Sequence, residues 1–327
     1  MGQLRGPAWV NVSHGLYATS GPPRDLITRC RHMGLVLPPG AVISHYTAAA
    51  LHGLPLPTLP PWIPLMATLP PDTERPERGG LYVARSRAGQ PPADLLDGVS
   101  VLSVEQVIGQ LAEDLGLIDL VVAIDAALHR GETTPSDIIA GVRARQRGLP
   151  RLRHALELSD ARAESPWETI LRLMHTTTGI RVTPQTIVID TSGQILARAD
   201  LRIDGTRRLP EYDGADHRGR EQHEHDLGRE KALARLKLER YGYIAREITR
   251  SPALIIRDAE DALGWAHDPA RVATWLSHAH HSSLTTEGRQ RLWRRLRRFV
   301  RPLRGRGSRR PPATSRELRE SGEPKSS

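Results

Sequence analysis

The chain has 327 residues, 39% hydrophobic and only 4% aromatic, with a formal net charge of +9. At roughly 100–200 residues per domain, this length accommodates two compact domains and a tail. One cysteine, Cys30, excludes an internal disulfide and any cysteine-built zinc site.

The longest apolar run, residues 117–128, is broken by Asp119 and Asp125 and falls short of the ~20 residues of a membrane span. With no basic start and apolar core at the beginning, a cytoplasmic protein without membrane insertion is expected. Residues 285–327 hold 14 basic and 4 acidic side chains, a balance of +10. The first 284 residues hold 32 basic and 33 acidic, a balance of −1. The overall charge therefore says nothing of what the folded body binds.

In chain order, residues 9–18 read as a strand-like piece and 24–33 as a weak helix. Pro38-Pro39-Gly40 interrupts, and Ser44 is placed to cap a helix over 46–51. The prolines of 53–95, with short apolar runs at 63–67 and 81–84, predict strands and loops. From Ser103, Val104, Val107, Ile108 and Leu111 repeat at helical spacing, as do Leu120, Ile124 and Leu128. Thr134-Pro135-Ser136 starts a third helix and Pro150 precedes a fourth, making 100–160 a helical module.

Residues 163–248 alternate as a small α/β unit. A helix follows Ser165-Pro166, and strands over 186–190 and 195–203 flank Thr191-Ser192-Gly193. A turn at Asp204-Gly205 leads to a strand through Asp213, a polar helix over about 220–240, and a final strand over 243–248. Residues 289–303 form a basic amphipathic helix with Leu292, Trp293, Leu296 and Phe299 on one face. Beyond 304 the Arg, Pro, Gly and Ser content predicts disorder.

The Asp204-Gly205 turn makes carboxylate placement explicit. In a two-residue hairpin Ile203 faces Thr206 and Asp200 lies opposite Leu209, so Asp200, Glu211 and Asp213 share a face. Asp200 and Glu211 are then a diagonal pair about 7–8 Å apart or less. Two carboxylates at that spacing repel unless a cation lies between them, which marks a candidate metal site. Glu168 is placed to add a third ligand, or to complete the capping box Ser165-Pro166-Trp167-Glu168. His217 is a candidate base or phosphate contact. His223, His225 and Asp226 form a looser set with no convergent zinc spacing, and His278, His280 and His281 read as an exposed cluster.

Leu209-Pro210-Glu211-Tyr212-Asp213-Gly214, then His217, Asp226 and Arg229, resembles the Vsr-like branch of the PD-(D/E)xK nucleases over residues 163–250. The resemblance implies a restriction-endonuclease-like three-layer domain with a mixed central sheet. It implies Asp200, Glu211, Asp213, His217 and Glu168 as catalytic residues, with Mg2+ or Mn2+ held by Asp200 and Glu211. Asp213 stands where the wider superfamily has lysine, so water activation shifts to the metal or His217. Pro210 lacks a backbone donor and predicts an irregular sheet beside Glu211.

Upstream, the run from Ile43-Ser44-His45-Tyr46 to His52-Gly53-Leu54-Pro55 resembles AbiEi-type antitoxins, and Asp125-Ala126-Ala127-Leu128-His129-Arg130-Gly131 fits the same architecture. The winged helix such proteins open with is truncated here to about 10–18. The expected organisation is an AbiEi-like region (1–96), a helical module (97–160), a Vsr-like nuclease domain (161–283) and a basic helix with tail (284–327), an α+β or α/β fold overall.

DNA is the expected partner, contacted by Arg229, Lys231, Arg294, Arg297 and Arg298, with a cognate toxin as a second candidate. The 289–303 helix has three readings: packing on the body, phosphate binding, or attachment to anionic lipid. The leading function is a metal-dependent endonuclease. The alternative is a catalytically inactive AbiEi-type antitoxin or transcriptional regulator.

Overall fold

The computed structural model describes residues 10–13, 16–18, 25–87, 89–190, 192–214, 233 and 235–300. It has a mixed α+β architecture, with eleven α-helices among the described residues. The 9–18 piece is a pair of antiparallel strands, β1 (Val10–Ser13) and β2 (Leu16–Ala18). Helix α1 (Leu26–Gly34) begins at Asp25, whose carboxylate accepts the Thr28 N–H at 2.8 Å.

A five-stranded sheet follows, built from β3 (Val42–Ile43), β4 (Leu65–Leu69), β5 (Leu81–Arg85), β6 (Ala93–Leu96) and β7 (Val99–Leu102). Its order is β5-β4-β3-β7-β6; β4/β5 and β3/β7 are parallel, the other pairs antiparallel. Every residue of β4 is buried, as suits an interior strand covered on both faces. Helix α2 (His45–Leu51) connects β3 towards β4, with Ser44 at its N-cap.

The helical module is α3 (Val104–Leu111), α4 (Leu117–His129), α5 (Pro135–Ala140) and α6 (Leu149–Glu157). Helix α4 is buried on nearly every side and carries Asp125, which is 1% exposed. That carboxylate accepts the Asp160 N–H, the Thr169 hydroxyl and an Arg172 N–H at 2.7–2.9 Å. It thereby ties the module to α7 (Pro166–Thr177). Burial raises its pKa against the opposing pull of Arg172. Arg130 donates to the carbonyls of His52 and Gly53, so the segments 43–55 and 125–131 touch.

After α7 come β8 (Val182–Ile189) and β9 (Ile195–Ile203), an antiparallel pair. Then β10 (Arg208–Tyr212) pairs in parallel with β11 (Glu239–Tyr243). This corrects the sequence expectation at the end of the unit. The strand is four residues earlier than 243–248, and 245–250 is instead helix α8 (Ala245–Arg250). The alternating aromatic run Tyr241-Gly242-Tyr243 suits a pleated surface, while the Glu247 carboxylate accepts the Ile244 N–H and caps the helix.

Three helices complete the chain: α9 (Pro252–Leu263), α10 (Pro269–Ala279) and α11 (Thr286–Leu296), the last running into a 3-10 turn at Arg297–Phe299. Leu292, Leu296 and Phe299 are buried, so the amphipathic segment packs on the body. Asp119 of α4 secures it by accepting from both hydroxyls and one backbone N–H of Ser282 and Ser283. One hydrophobic cluster runs from Cys30 to Phe299, and position 96/97 lies in the turn of the β6–β7 hairpin. Among the described residues no helix is long and apolar enough to cross a membrane. Residues 301–327 lie outside the described residues.

Candidate carboxylate site

The site is assembled where β9, β10 and β11 meet the first turn of α7. Ser165 starts α7 as the capping box requires, its hydroxyl accepting the Glu168 N–H at 3.2 Å. The Glu168 carboxylate accepts the Glu164 N–H (3.0 Å) and the side-chain amide of Gln185 (2.8 Å). Gln185, just after Pro184 in β8, has φ +51, a conformation that non-glycine residues rarely adopt. Trp167 stacks on Tyr212 at 5.6 Å and 20°, which docks this turn against the end of β10.

Asp200 and Glu211 meet that end differently from the hairpin geometry. The Thr206 N–H donates to the Ile203 carbonyl, closing the turn, but among the described residues β9 and β10 share no ladder. In place of a ladder bond, the Asp200 carboxylate accepts the Tyr212 N–H at 2.8 Å. Glu211 is 3% exposed. Arg240 of β11 donates through Nε to Glu211 (2.6 Å) and through Nη2 to Asp213 (2.7 Å). Burial works against the Arg240 charge, but the bonds and charges of Glu211 and Asp213 outweigh it and raise its pKa.

The parallel register places Gly242 opposite Glu211. A β-carbon at 242 would overlap the Asp213 carboxylate, so glycine is what admits Asp213 to the cluster. Pro210 is accommodated for a related reason. The Asp213 N–H donates to the Tyr243 carbonyl, so alternate donors at 209 and 211 also face β11. The absent N–H of Pro210 therefore faces β9, where no ladder forms. The β10–β11 pairing runs unbroken over five residues, and the irregularity expected beside Glu211 is confined to the β9 side.

Asp200, Glu211 and Asp213 thus gather around the end of β10, while the Glu168 carboxylate, in the adjoining α7 turn, is hydrogen-bonded to Glu164 and Gln185. His217, Arg229, Lys231, His223, His225 and Asp226 lie outside the described residues. Arg294, Arg297 and Arg298 belong to α11 and its 3-10 extension, which packs elsewhere: Arg298 pairs with Asp114 and Glu113, and Trp293 donates to the Thr58 carbonyl. The sequence does not single out Arg240 or Gln185, because its polar pattern puts Arg240 at the end of a helix and Gln185 lies in a strand with no charge of its own.

The donors suit a hard divalent ion, since Mg2+ is commonly held by one or two carboxylates with water completing its shell. Among the described residues, no three His, Cys, Asp or Glu side chains converge on one cation position. The positive charge in the cluster is supplied by Arg240. No family model matches the chain, and no curated protein or solved structure is significantly similar to it.

Proposed function

We propose that residues 164–248 form a metal-dependent, endonuclease-like unit that hydrolyses DNA phosphodiesters. One observation carries this reading: Glu211, nearly inaccessible, and Asp213 converge on a single guanidinium at the end of a strand whose next backbone donor is held by Asp200. Carboxylates so gathered need a cation, and a divalent ion held by Asp200 and Glu211 would polarise a phosphodiester and lower the pKa of its bound water.

In this reading Asp213 holds Arg240 beside Glu211, ready to meet a phosphate oxygen. Glu168 fixes the α7 turn and Gln185 against the site. His217, assigned from the sequence resemblance, takes the proton of the attacking water or holds a phosphate. The test is nicking of supercoiled plasmid with Mg2+ or Mn2+, alongside Asp200→Ala and Glu211→Ala. Both substitutions should abolish nicking, and nicking that survives in both refutes the assignment.

A second reading draws on the same guanidinium. Because Arg240 already neutralises Glu211 and Asp213, the cluster is self-sufficient as an ion-pair network. This favours an inactive, AbiEi-type antitoxin or DNA-binding regulator. Absence of cleavage with every metal, together with binding of promoter DNA or a cognate toxin, would establish it.

A further inference from the structure

A second charged feature lies in the other half of the molecule, and it does not depend on the carboxylate site. A cleft of about 650 Å³ opens between the β4–β5 edge and the loop joining α5 to α6. Arg75, Arg85 and Arg87 line it from β5 and its flanking loops, and Arg143, Arg145 and Arg147 from the α5–α6 loop. Arg298 is a seventh. Among the described residues the one lining carboxylate is Glu113, itself 3.4 Å from Arg298. The other six arginines form no ion pair with any described carboxylate.

This concentration is not a share of a general surplus, because residues 1–284 carry 32 basic and 33 acidic side chains. The floor is equally specific. Thr68 of β4 is 5% exposed, yet its hydroxyl has no hydrogen-bond partner among the described residues, and the Nε of Arg75 is likewise buried and without one there. Buried donors are nearly always satisfied, so these two point to acceptor oxygens from outside the chain. Beside them His45 lies edge-on to Tyr82 and Phe299 at 5.5–5.6 Å. Burial, with the Arg298 charge, lowers the His45 pKa to about 3, so this part of the wall is neutral.

We propose that the cleft binds a small ligand carrying a chain of two or three phosphates, as a nucleoside triphosphate or free polyphosphate does. Guanidinium forks match phosphate oxygens in pairs, and here they face each other across a concave site. Its volume falls within the ~300–1,000 Å³ of small-molecule sites, and low-dielectric walls of one sign focus the field on an anion between them. A duplex, with phosphates on the outside of a wide rod, presents one line of charge to one wall.

The experiment is calorimetric titration of the full chain at ~0.15 M salt with sodium tripolyphosphate, with ATP and with a blunt DNA duplex. Saturable binding of one small anion per chain is expected. It should weaken about tenfold or more in Arg143→Ser/Arg145→Ser/Arg147→Ser, and measurably in Arg87→Ser on the opposite wall. A tail variant, Arg304→Ser/Arg306→Ser/Arg309→Ser/Arg310→Ser, should bind as the parent does. Tighter binding of ATP supports a nucleotide, and equal binding a bare phosphate chain. The proposal is overturned if neither small anion saturates, if only the duplex binds, or if the tail variant loses binding while the cleft variants keep it. Both cleft variants alter exposed side chains that form no ion pair with a described carboxylate, and a thermal melt confirms that each is folded.

Discussion

Replacing Arg240 with methionine removes the cation of the carboxylate cluster while keeping much of the side chain's volume. Glu211 is 3% exposed and loses a 2.6 Å bond, and Asp213 loses one of 2.7 Å. Breaking one side of a buried ion pair costs about 3–5 kcal/mol. Arg240 is a quarter exposed, so solvent screening reduces this to about 2–3 kcal/mol. At about 2–4 °C per kcal/mol, the melting temperature should fall by about 5–10 °C. A divalent ion that takes the vacated place at a hundred times its Kd restores about 2.7 kcal/mol. Scanning calorimetry with and without Mg2+ or Mn2+ should therefore show the variant recovering most of its loss, while the parent, whose guanidinium competes for the same oxygens, gains much less. A variant destabilised as calculated but indifferent to both metals would refute the cation-seat reasoning and leave a purely structural ion pair.

Stability should also fall with acidification from a histidine source. His175, 1% exposed, is pushed down to about 4 by burial, and His45 to about 3, so the unfolded chain binds protons near pH 6.5 that the folded one refuses. Their contribution is complete above pH 6.5 and declines as pH falls, by roughly 4 kcal/mol for the two between pH 7 and 5. Urea titrations showing a flat profile over that interval would contradict this. Gly148→Ala places a β-carbon against the Ala112 carbonyl at φ +85 and should destabilise by at least ~2 kcal/mol, measured by denaturant midpoint. Asp119→Ala removes the carboxylate that holds Ser282 and Ser283, and should speed proteolytic cleavage near residues 280–286 with a smaller effect on overall melting.

Where sequence and structure agree, the signal is local. Ser165-Pro166 caps α7, Thr134 accepts the Asp137 N–H in α5, and the apolar spacing of 104–111 buries Val104, Val107, Ile108 and Leu111. Where they part, the deciding contact is distant in sequence. Arg240 belongs to a strand because its neighbours pair with 208–212, some thirty residues away, and a polar stretch leading from 220 carries no mark of that. The turn at Asp204-Gly205 closes as a two-residue hairpin requires, yet among the described residues no ladder follows it. Proline at 210 removes one donor from that edge, and Asp200 takes the next. The carboxylates were legible as a group; their counter-ion was not.

Charge shows the same division more sharply. A balance of −1 over the first 284 residues gave no reason to look for an anion site, because summation discards position. In the fold, acidic groups are consumed in local pairs: Asp125 with Arg172, Glu211 with Arg240, and Glu260 with His267 and Arg271. Arg75, Arg85 and Arg87, with Arg143, Arg145 and Arg147, are left lining a cleft that forms only once the β-sheet and the helical module pack together. Near-neutrality overall is thus compatible with strong local fields, provided that the compensating carboxylates are paired elsewhere. The electrostatics of this chain reside in which pairs the fold completes and which it leaves open.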